Sequence, residues 1–451
     1  MKPKLFGSSG IRGLANIDIT PTLTQRVGAA LATLHEGGTT IIGRDARITG
    51  PMLEAALTSG VNAAGGDVVQ VGLVPTPVVA WMIKEAGSES GVAITASHNP
   101  PPYNGLKVFN GKGVSLTIAE QLQLEAILEN ERYEWADWDR VGAAEEIDGI
   151  EPYVDMLAES IEIETEHKIG LDCFCGATCT LAPAAFREFP VETKIINAVP
   201  DGRFPAGNPE PTMESLRRLG EYMKSTGCGL GFGFDGDGDR MMPVGADGRM
   251  VSPDRALAAY AGYVVERNNG GTVVTHVGAS MNVDDMVKAA GGKIVRTPVG
   301  DAFITEAMMK HKAVFGGEPV GAWVFPEHHM CPAGVMGALK VLEALDYMDQ
   351  TLEEFVQAAP AYPLERAKLD CPNQKKSSAL KEISTGYGDV FRDVESVSTV
   401  DGVRLEMPQG WTLIRPSGTE PLIRITVEGR TQEDVDRIME KSKQLVKKAM
   451  G

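Results

Sequence analysis

The feature that most constrains this chain is a rhythm. Apolar strands, glycine-rich or polar turns and amphipathic helices succeed one another in the same order, in three rounds. In the first round, residues 39–42 lead through Gly43-Arg-Asp-Ala-Arg47 to a helix over 51–64. Residues 67–71 then lead through Gly72 to a helix over 78–85 that starts behind Pro77, and residues 92–95 run into Ala96-Ser-His-Asn-Pro100. The second round has strands at 168–171, 194–197 and 229–234 and a helix at 181–186. The third has strands at 272–275, 293–296 and 313–316 and a helix at 283–290. Such alternation predicts parallel strands with helices laid over the sheet. Beyond Pro360 and Pro363 the pattern changes. Strands at 394–400, 403–407, 411–415 and 422–428 precede one long charged helix over 432–449, which predicts a small α+β unit on a mobile connection. The expected units are 1–150, 151–250, 251–360 and 361–451.

Charge limits the partners. A net charge of −18 opposes binding to nucleic acid or an anionic membrane, although a small cationic cleft can still hold a phosphorylated metabolite. No stretch approaches the roughly 20 apolar residues of a membrane span. Met1-Lys-Pro-Lys-Leu-Phe-Gly-Ser8 lacks a signal-like apolar core, so the expected location is cytoplasmic. Six cysteines are too sparse for a disulfide framework. The cluster Cys173, Cys175 and Cys179 reads as a buried strand end running into a glycine turn. Adjacent His328 and His329 cannot easily converge on one ion in regular structure.

The strongest chemical signal is Asp235-Gly-Asp237-Gly-Asp239-Arg240, which follows the apolar run Leu230-Gly-Phe-Gly-Phe234. Carboxylates at every second position point the same way on an extended chain, and the glycines let backbone crowd around a cation. Oxygen ligands without histidine or cysteine suit Mg²⁺. Thr95-Ala-Ser97-His98-Asn99-Pro100 sits at a strand end. It reads either as a capped turn or, opposite the acidic loop, as a serine whose phosphate faces a metal. No Gly-x-Ser-x-Gly elbow supports a triad hydrolase. Lys107 is either a solvated strand-edge residue or an acid–base group whose proton affinity falls when substrate buries it. Arg415-Pro-Ser417-Gly418-Thr419-Glu-Pro421 combines a planar cationic fork with hydroxyls and free backbone donors, and Arg424 adds charge. Together they read as a phosphate clamp, with a plain turn as the alternative. Arg12, in Gly7-Ser-Ser-Gly-Ile-Arg12-Gly13, repeats that theme weakly. Glu318, in Gly317-Glu-Pro-Val-Gly321, can accept hydrogen bonds from a sugar or an amine.

These motifs, in this order and across the whole chain, resemble the α-D-phosphohexomutase family. The resemblance implies three similar α/β domains with mixed sheets and a smaller C-terminal α+β domain around a central cleft. It implies Ser97 as phosphoserine, with Asp235, Asp237, Asp239 and the Ser97 phosphate binding Mg²⁺. Arg12, Lys107, His98 and Arg240 would line the reaction centre, Glu318 would read the sugar, and Arg415, Ser417, Gly418 and Thr419 would hold its standing phosphate. The implied reaction exchanges the 1- and 6-phosphates of a hexose or hexosamine, with a bisphosphorylated sugar as intermediate or activator. Gly317-Glu-Pro-Val-Gly-Ala-Trp323 is similar to archaeal members assigned to glucosamine phosphate, and Val299-Gly-Asp301 resembles the glucosamine branch, while Val320 and Ala322 depart from the bacterial glucosamine pattern. A mutase acting on neutral glucose or mannose phosphates is the alternative substrate reading. A sugar phosphatase and a phosphosugar-binding protein are the readings from other classes.

Overall fold

Each round of the rhythm closes into a sheet of its own. The computed structural model describes residues 3–7, 9–417 and 420–450. In the first sheet, β1 (Ile11–Leu14), β2 (Thr39–Arg44), β3 (Asp67–Leu73), β4 (Ser90–Ile94), β5 (Tyr103–Asn110) and β6 (Ala144–Glu146) are ordered β1-β5-β4-β2-β3-β6. The second orders β7 (His167–Asp172), β8 (Val191–Ile196), β9 (Leu230–Phe234) and β10 (Met241–Val244) as β10-β9-β7-β8. The third orders β11 (Thr272–His276), β12 (Lys293–Thr297), β13 (Phe315–Gly317) and β14 (Trp323–Val324) as β12-β11-β13-β14.

One topology is therefore present three times. The runs β3-β2-β4-β5, β8-β7-β9-β10 and β12-β11-β13-β14 each consist of three parallel strands and a fourth that folds back antiparallel. The hairpin joining the last parallel strand to its antiparallel neighbour thus occupies the same place in every copy. Those hairpins carry Ser97, Asp235–Arg240 and Glu318, at the carboxyl ends of parallel strands, where α/β sheets place their ligands.

Apolar packing joins the three copies. Trp81 and Val79 of the first, Phe186 and Phe232 of the second, and Tyr260 and Phe315 of the third belong to one continuous buried cluster. The helix Thr76–Ala86 shows why: Val78, Val79, Trp81, Met82 and Ile83 are all buried. A helix apolar on more than one face has to be covered on more than one face. It ends on Gly87 in the left-handed conformation (φ 64°), the usual glycine stop.

The tail is antiparallel throughout. β15 (Leu364–Asp370), β16 (Ser396–Ser398), β17 (Val403–Met407), β18 (Gly410–Pro416) and β19 (Leu422–Gly429) are ordered β15-β19-β18-β17-β16. The closing helix Gln432–Met450 buries Val435, Ile438, Met439, Leu445 and Val446 along one stripe. The strand expected over 394–400 shrinks to Ser396–Ser398, at the sheet edge, where two serines offer little to bury. β5 and β15 were not anticipated, so Lys107 stands inside a buried strand and not at an exposed edge. The fourth unit, expected on a mobile connection, is docked in this structure. Arg404 donates to the Val277 and Ala279 carbonyls, and the Met281 amide donates to Glu428 at 2.7 Å. Among the described residues no helix is long and apolar enough to cross a membrane.

Candidate active site

Ser97 sits in a left-handed backbone conformation, φ 51°, which a non-glycine residue adopts only where its surroundings hold it. The hold is a chain of hydrogen bonds. The Ser97 amide donates to Thr95 Oγ1 at 2.8 Å, and that hydroxyl donates to Asp45 Oδ2 at 2.6 Å. Arg47 grips the carbonyls of the same turn. So held, Ser97 Oγ donates to Asp235 Oδ2 at 2.7 Å and lies 3.1 Å from His98 Nδ1. Burial, with Arg240 and Arg12 nearby, pulls His98 down to about 4, so its imidazole is neutral.

The acidic loop meets this turn across the boundary between the first two sheets. A Cβ on Gly236 would lie 2.5 Å from the Ser97 carbonyl, so only glycine allows the approach. Asp235, Asp237 and Asp239 are all buried, and each offers a carboxylate oxygen within 4.8 Å of the others. Thr76 donates to Asp237 at 2.6 Å, and Lys107 donates to Asp237 at 2.7 Å and to Asp239. Asp237 Oδ1 and Asp239 Oδ1 are buried without a partner. Orphaned carboxylate oxygens beside a serine oxygen are what a hard cation satisfies, so the donor set fits Mg²⁺. Burial and the charges of Asp239 and Asp237 push Asp235 well above the ordinary carboxylate range. Burial alone would lower Lys107, but Asp237 and Asp239 outweigh it and hold the ammonium above its usual range. The fall expected once Mg²⁺ and substrate surround Lys107 is thus opposed by two counter-ions as buried as it is.

Arg12, on β1, reaches Asn99 Oδ1 at 3.4 Å, and Arg240 Nε lies 3.8 Å from Asp239. Asp301, which the motifs place in no role, begins the helix Asp301–His311. Burial raises its carboxyl and Asp239 adds to the rise, against Lys107, Arg240 and Arg12. It therefore belongs electrostatically to the same centre. Its signal lay in Val299-Gly-Asp301, read only for its likeness.

Glu318 occupies the third hairpin. Its carboxyl accepts from the Gly300 amide at 3.2 Å and stands 3.9 Å from His276 Nε2. Burial, helped by Asp301, raises it to about 7. His276 in turn lines a cavity of about 520 Å³ shared by Val299 and the fourth unit. Arg415, Ser417 and Arg424 line it too, with Arg366 and Lys368 of β15, which the motifs missed. Lys368 pairs in register with Arg424, and Arg424 with Arg415, so three cations stand side by side across the sheet. Arg415 meets Asp401 at 2.6 Å and Arg424 meets Glu420 at 2.8 Å. Gly418 and Thr419 lie outside the described residues.

The remaining candidates serve packing. Cys173, Cys175 and Cys179 are buried free thiols. His329 is buried within 2.9 Å of the Tyr153 hydroxyl.

Known proteins are similar to this chain over its whole length. Family models described as phosphoglucomutase/phosphomannomutase alpha/beta/alpha domains I, II and III and C-terminal domain match residues 3–135, 151–248, 252–362 and 367–444. A probable phosphoglucosamine mutase of Methanothermobacter thermautotrophicus is 39% identical over 452 residues, covering 100% of this chain and 99% of that one. Another, from Methanosarcina barkeri, is 40% identical over 449 residues, covering 99% and 100%. Among solved structures, a phosphoglucomutase/phosphomannomutase family protein from Burkholderia thailandensis superposes with a TM-score of 0.89 at 27% identity, over 99% of this chain and 97% of that one. The N-acetylphosphoglucosamine mutase of Aspergillus fumigatus, in complex with GlcNAc-6P and magnesium, shares the fold with a TM-score of 0.59 at 14% identity, over 100% and 96%.

Proposed function

The chain belongs to the phosphoglucomutase/phosphomannomutase family, and from that premise we propose that it interconverts glucosamine 6-phosphate and glucosamine 1-phosphate through a phosphorylated Ser97. The observation that carries the proposal is the 2.7 Å contact of Ser97 Oγ with the buried carboxylate cluster, made by a turn strained into position for it.

In the first half-reaction the bond between phosphorus and Ser97 Oγ breaks and a bond to a free sugar hydroxyl forms, with loss of the hydroxyl proton. The resulting bisphosphorylated sugar turns over in the cleft. Its other phosphoryl group then passes to Ser97 Oγ, and the sugar oxygen that loses it regains a proton, so phosphate is conserved. Mg²⁺ held by Asp235, Asp237, Asp239 and an oxygen on Ser97 would supply positive charge to the transferring oxygens. Arg12 and Arg240 add fixed charge at the same place, and Lys107 is the proton-handling group. The basic cavity holds the standing phosphate, and binding there helps to organise the distant reaction centre.

Two features support the amino sugar: the full-length similarity to probable phosphoglucosamine mutases and the buried carboxylate of Glu318. One observation favours the neutral-sugar alternative. With its carboxyl raised to about 7, Glu318 can also share a proton with the hydroxyls of glucose or mannose phosphates. The test incubates Ser97-phosphorylated protein and Mg²⁺ with each hexose 6-phosphate and separates the 1- and 6-isomers. Isomer exchange with glucosamine phosphate leading is the expected result. A lead for a neutral sugar overturns the substrate, net inorganic phosphate makes the protein a phosphatase, and no change with any sugar leaves only binding.

A further inference from the structure

Every donor of Arg47 is spent inside the protein. Nη1 donates to the carbonyls of Pro100 and Tyr103, both at 2.8 Å, and Nη2 to those of Ser97 and Asn99, both at 2.7 Å. Nε donates to Asp45 at 3.0 Å. A guanidinium has five N–H groups, and here none is left for a ligand. The side chain is fully buried, so it does not touch substrate. Four of its five acceptors are backbone carbonyls of the turn that presents Ser97.

The other side of Arg47 belongs to the second unit. The Phe204 ring lies 5.1 Å from the guanidinium carbon, and Gly202 is pressed so close that a Cβ there would stand 2.4 Å from the Ala46 carbonyl oxygen. The same loop continues to Pro209, whose carbonyl accepts from the Gly236 amide at 3.1 Å. One short segment therefore touches both the arginine that fixes the serine turn and the loop that carries the three aspartates.

We propose that Arg47, covered by Phe204, is a positioning residue for phosphoryl transfer: it fixes the left-handed Ser97 turn in register with Asp235. The proposal rests on the reading of Ser97 as phosphate carrier. Its energetic logic is alignment. A displacement of about 1 Å at a reacting atom costs about 10²-fold in rate, and Ser97 is held against its backbone preference by few other contacts. Asp45 is the counter-ion that makes a buried arginine tolerable here, and it also anchors Thr95.

The test uses the full chain carrying Arg47→Lys, which keeps the charge but has three donors that cannot fan out to four carbonyls. Phosphoserine content by intact mass, thermal midpoint, kcat per phosphoserine and KM are measured together. We expect a folded protein whose KM stays within about threefold and whose kcat per phosphoserine falls about 10²-fold. A purely structural role would lower the midpoint and the active fraction but leave kcat per phosphoserine intact, and that result overturns the proposal. So does a change confined to KM. Should the lysine variant not fold, Phe204→Leu keeps all five hydrogen bonds and loosens their cover. A drop in kcat per phosphoserine at constant KM supports the proposal, and an unchanged kcat ends it. Failure of the underlying reading looks different: wild-type protein would then turn over without phosphate on Ser97.

Discussion

Two aspartate–arginine pairs mark the two ends of the cleft, and they are built in opposite ways. Arg47 and Asp45 are wholly buried, 3.0 Å apart, and fully committed to a backbone turn. Arg415, which lines the basic cavity, and Asp401 are closer, at 2.6 Å, but 37% and 25% exposed. Breaking a buried pair leaves an uncompensated charge in the interior and costs several kcal/mol. An exposed pair contributes about 0–1 kcal/mol, so a phosphate dianion can displace Asp401 from the arginine. The same two residue types therefore make a fixture in one place and an exchangeable contact in the other. In the proposed reaction the transfer centre has to keep its geometry while the bisphosphorylated sugar turns over in the cleft, whereas the clamp has to let go. The fourth unit reflects this division. Its own core is separate, and it meets the third unit through Arg404 and a small cluster of Val277, Trp411 and Leu413.

The contrast breaks most completely if the buried end proves dispensable. Ser97→Ala removes the oxygen proposed to carry phosphate, and turnover should fall about 10³-fold or more with no phosphorylated species in the intact-mass spectrum. A variant that isomerises sugar phosphates at the normal rate would sink the mechanism. Metal depletion is the next largest effect. Chelation should lower turnover by about 10²–10³-fold, and returning Mg²⁺ should raise the thermal midpoint, since a ligand bound only to the folded state stabilises it by about 2.7 kcal/mol at a hundred times Kd. A midpoint indifferent to Mg²⁺ would take the cation away from Asp235, Asp237 and Asp239.

Arg415→Ala sharpens the comparison from the open end. Removing a charge-assisted contact to phosphate should raise KM about 10–100-fold for every accepted sugar, while Ser97 still acquires its phosphate from a bisphosphorylated hexose. Arg424→Ala should do less, because its fork is more exposed and already meets Glu420. Loss of Ser97 phosphorylation in Arg415→Ala would mean that the two ends are not separable.

What the sequence disclosed follows the reach of each contact along the chain. Asp235, Asp237 and Asp239 are neighbours in sequence as in space, and the segments around Ser97, Glu318 and Arg415 are short, so motif and site coincide. Arg47 and its carbonyls lie about fifty residues apart, and an arginine in a polar turn reads as solvated until the turn is folded. Lys107 meets its carboxylates across 130 and 132 positions. The motif showed neither its place inside the buried strand β5 nor its two counter-ions. Arg366 and Lys368 stayed hidden because their strand pairs with β19, more than fifty residues on, and charged residues on an edge strand look like ordinary surface. At the level of the fold, the rhythm showed the parallel strands but not the antiparallel fourth strand of each copy. β14 is only Trp323–Val324, too short for any alternation to register, yet these fourth strands create the hairpins that carry the site.

The smallest expected effect tests the join between the two ends, where Glu318 lies close to both Asp301 and His276. Glutamine has nearly the same shape as glutamate and keeps a carbonyl acceptor for the Gly300 amide, so Glu318→Gln should fold normally and change one thing, the capacity to become anionic. A neutral hexose asks only for hydrogen-bond acceptors and should lose about threefold or less in kcat/KM. An ammonium group next to the carboxyl would draw its proton affinity back down from about 7 and form a charge-assisted hydrogen bond, which is stronger than a neutral one by about 1 kcal/mol. Glucosamine phosphate should therefore lose about tenfold, measured against glucose and mannose phosphates on the same phosphorylated preparation. The ratio carries the argument, because any general damage to the hairpin cancels from it. Equal losses on all three sugars would assign Glu318 to hydroxyl recognition, and the preference for an amino sugar would then have to come from some other group lining the cleft.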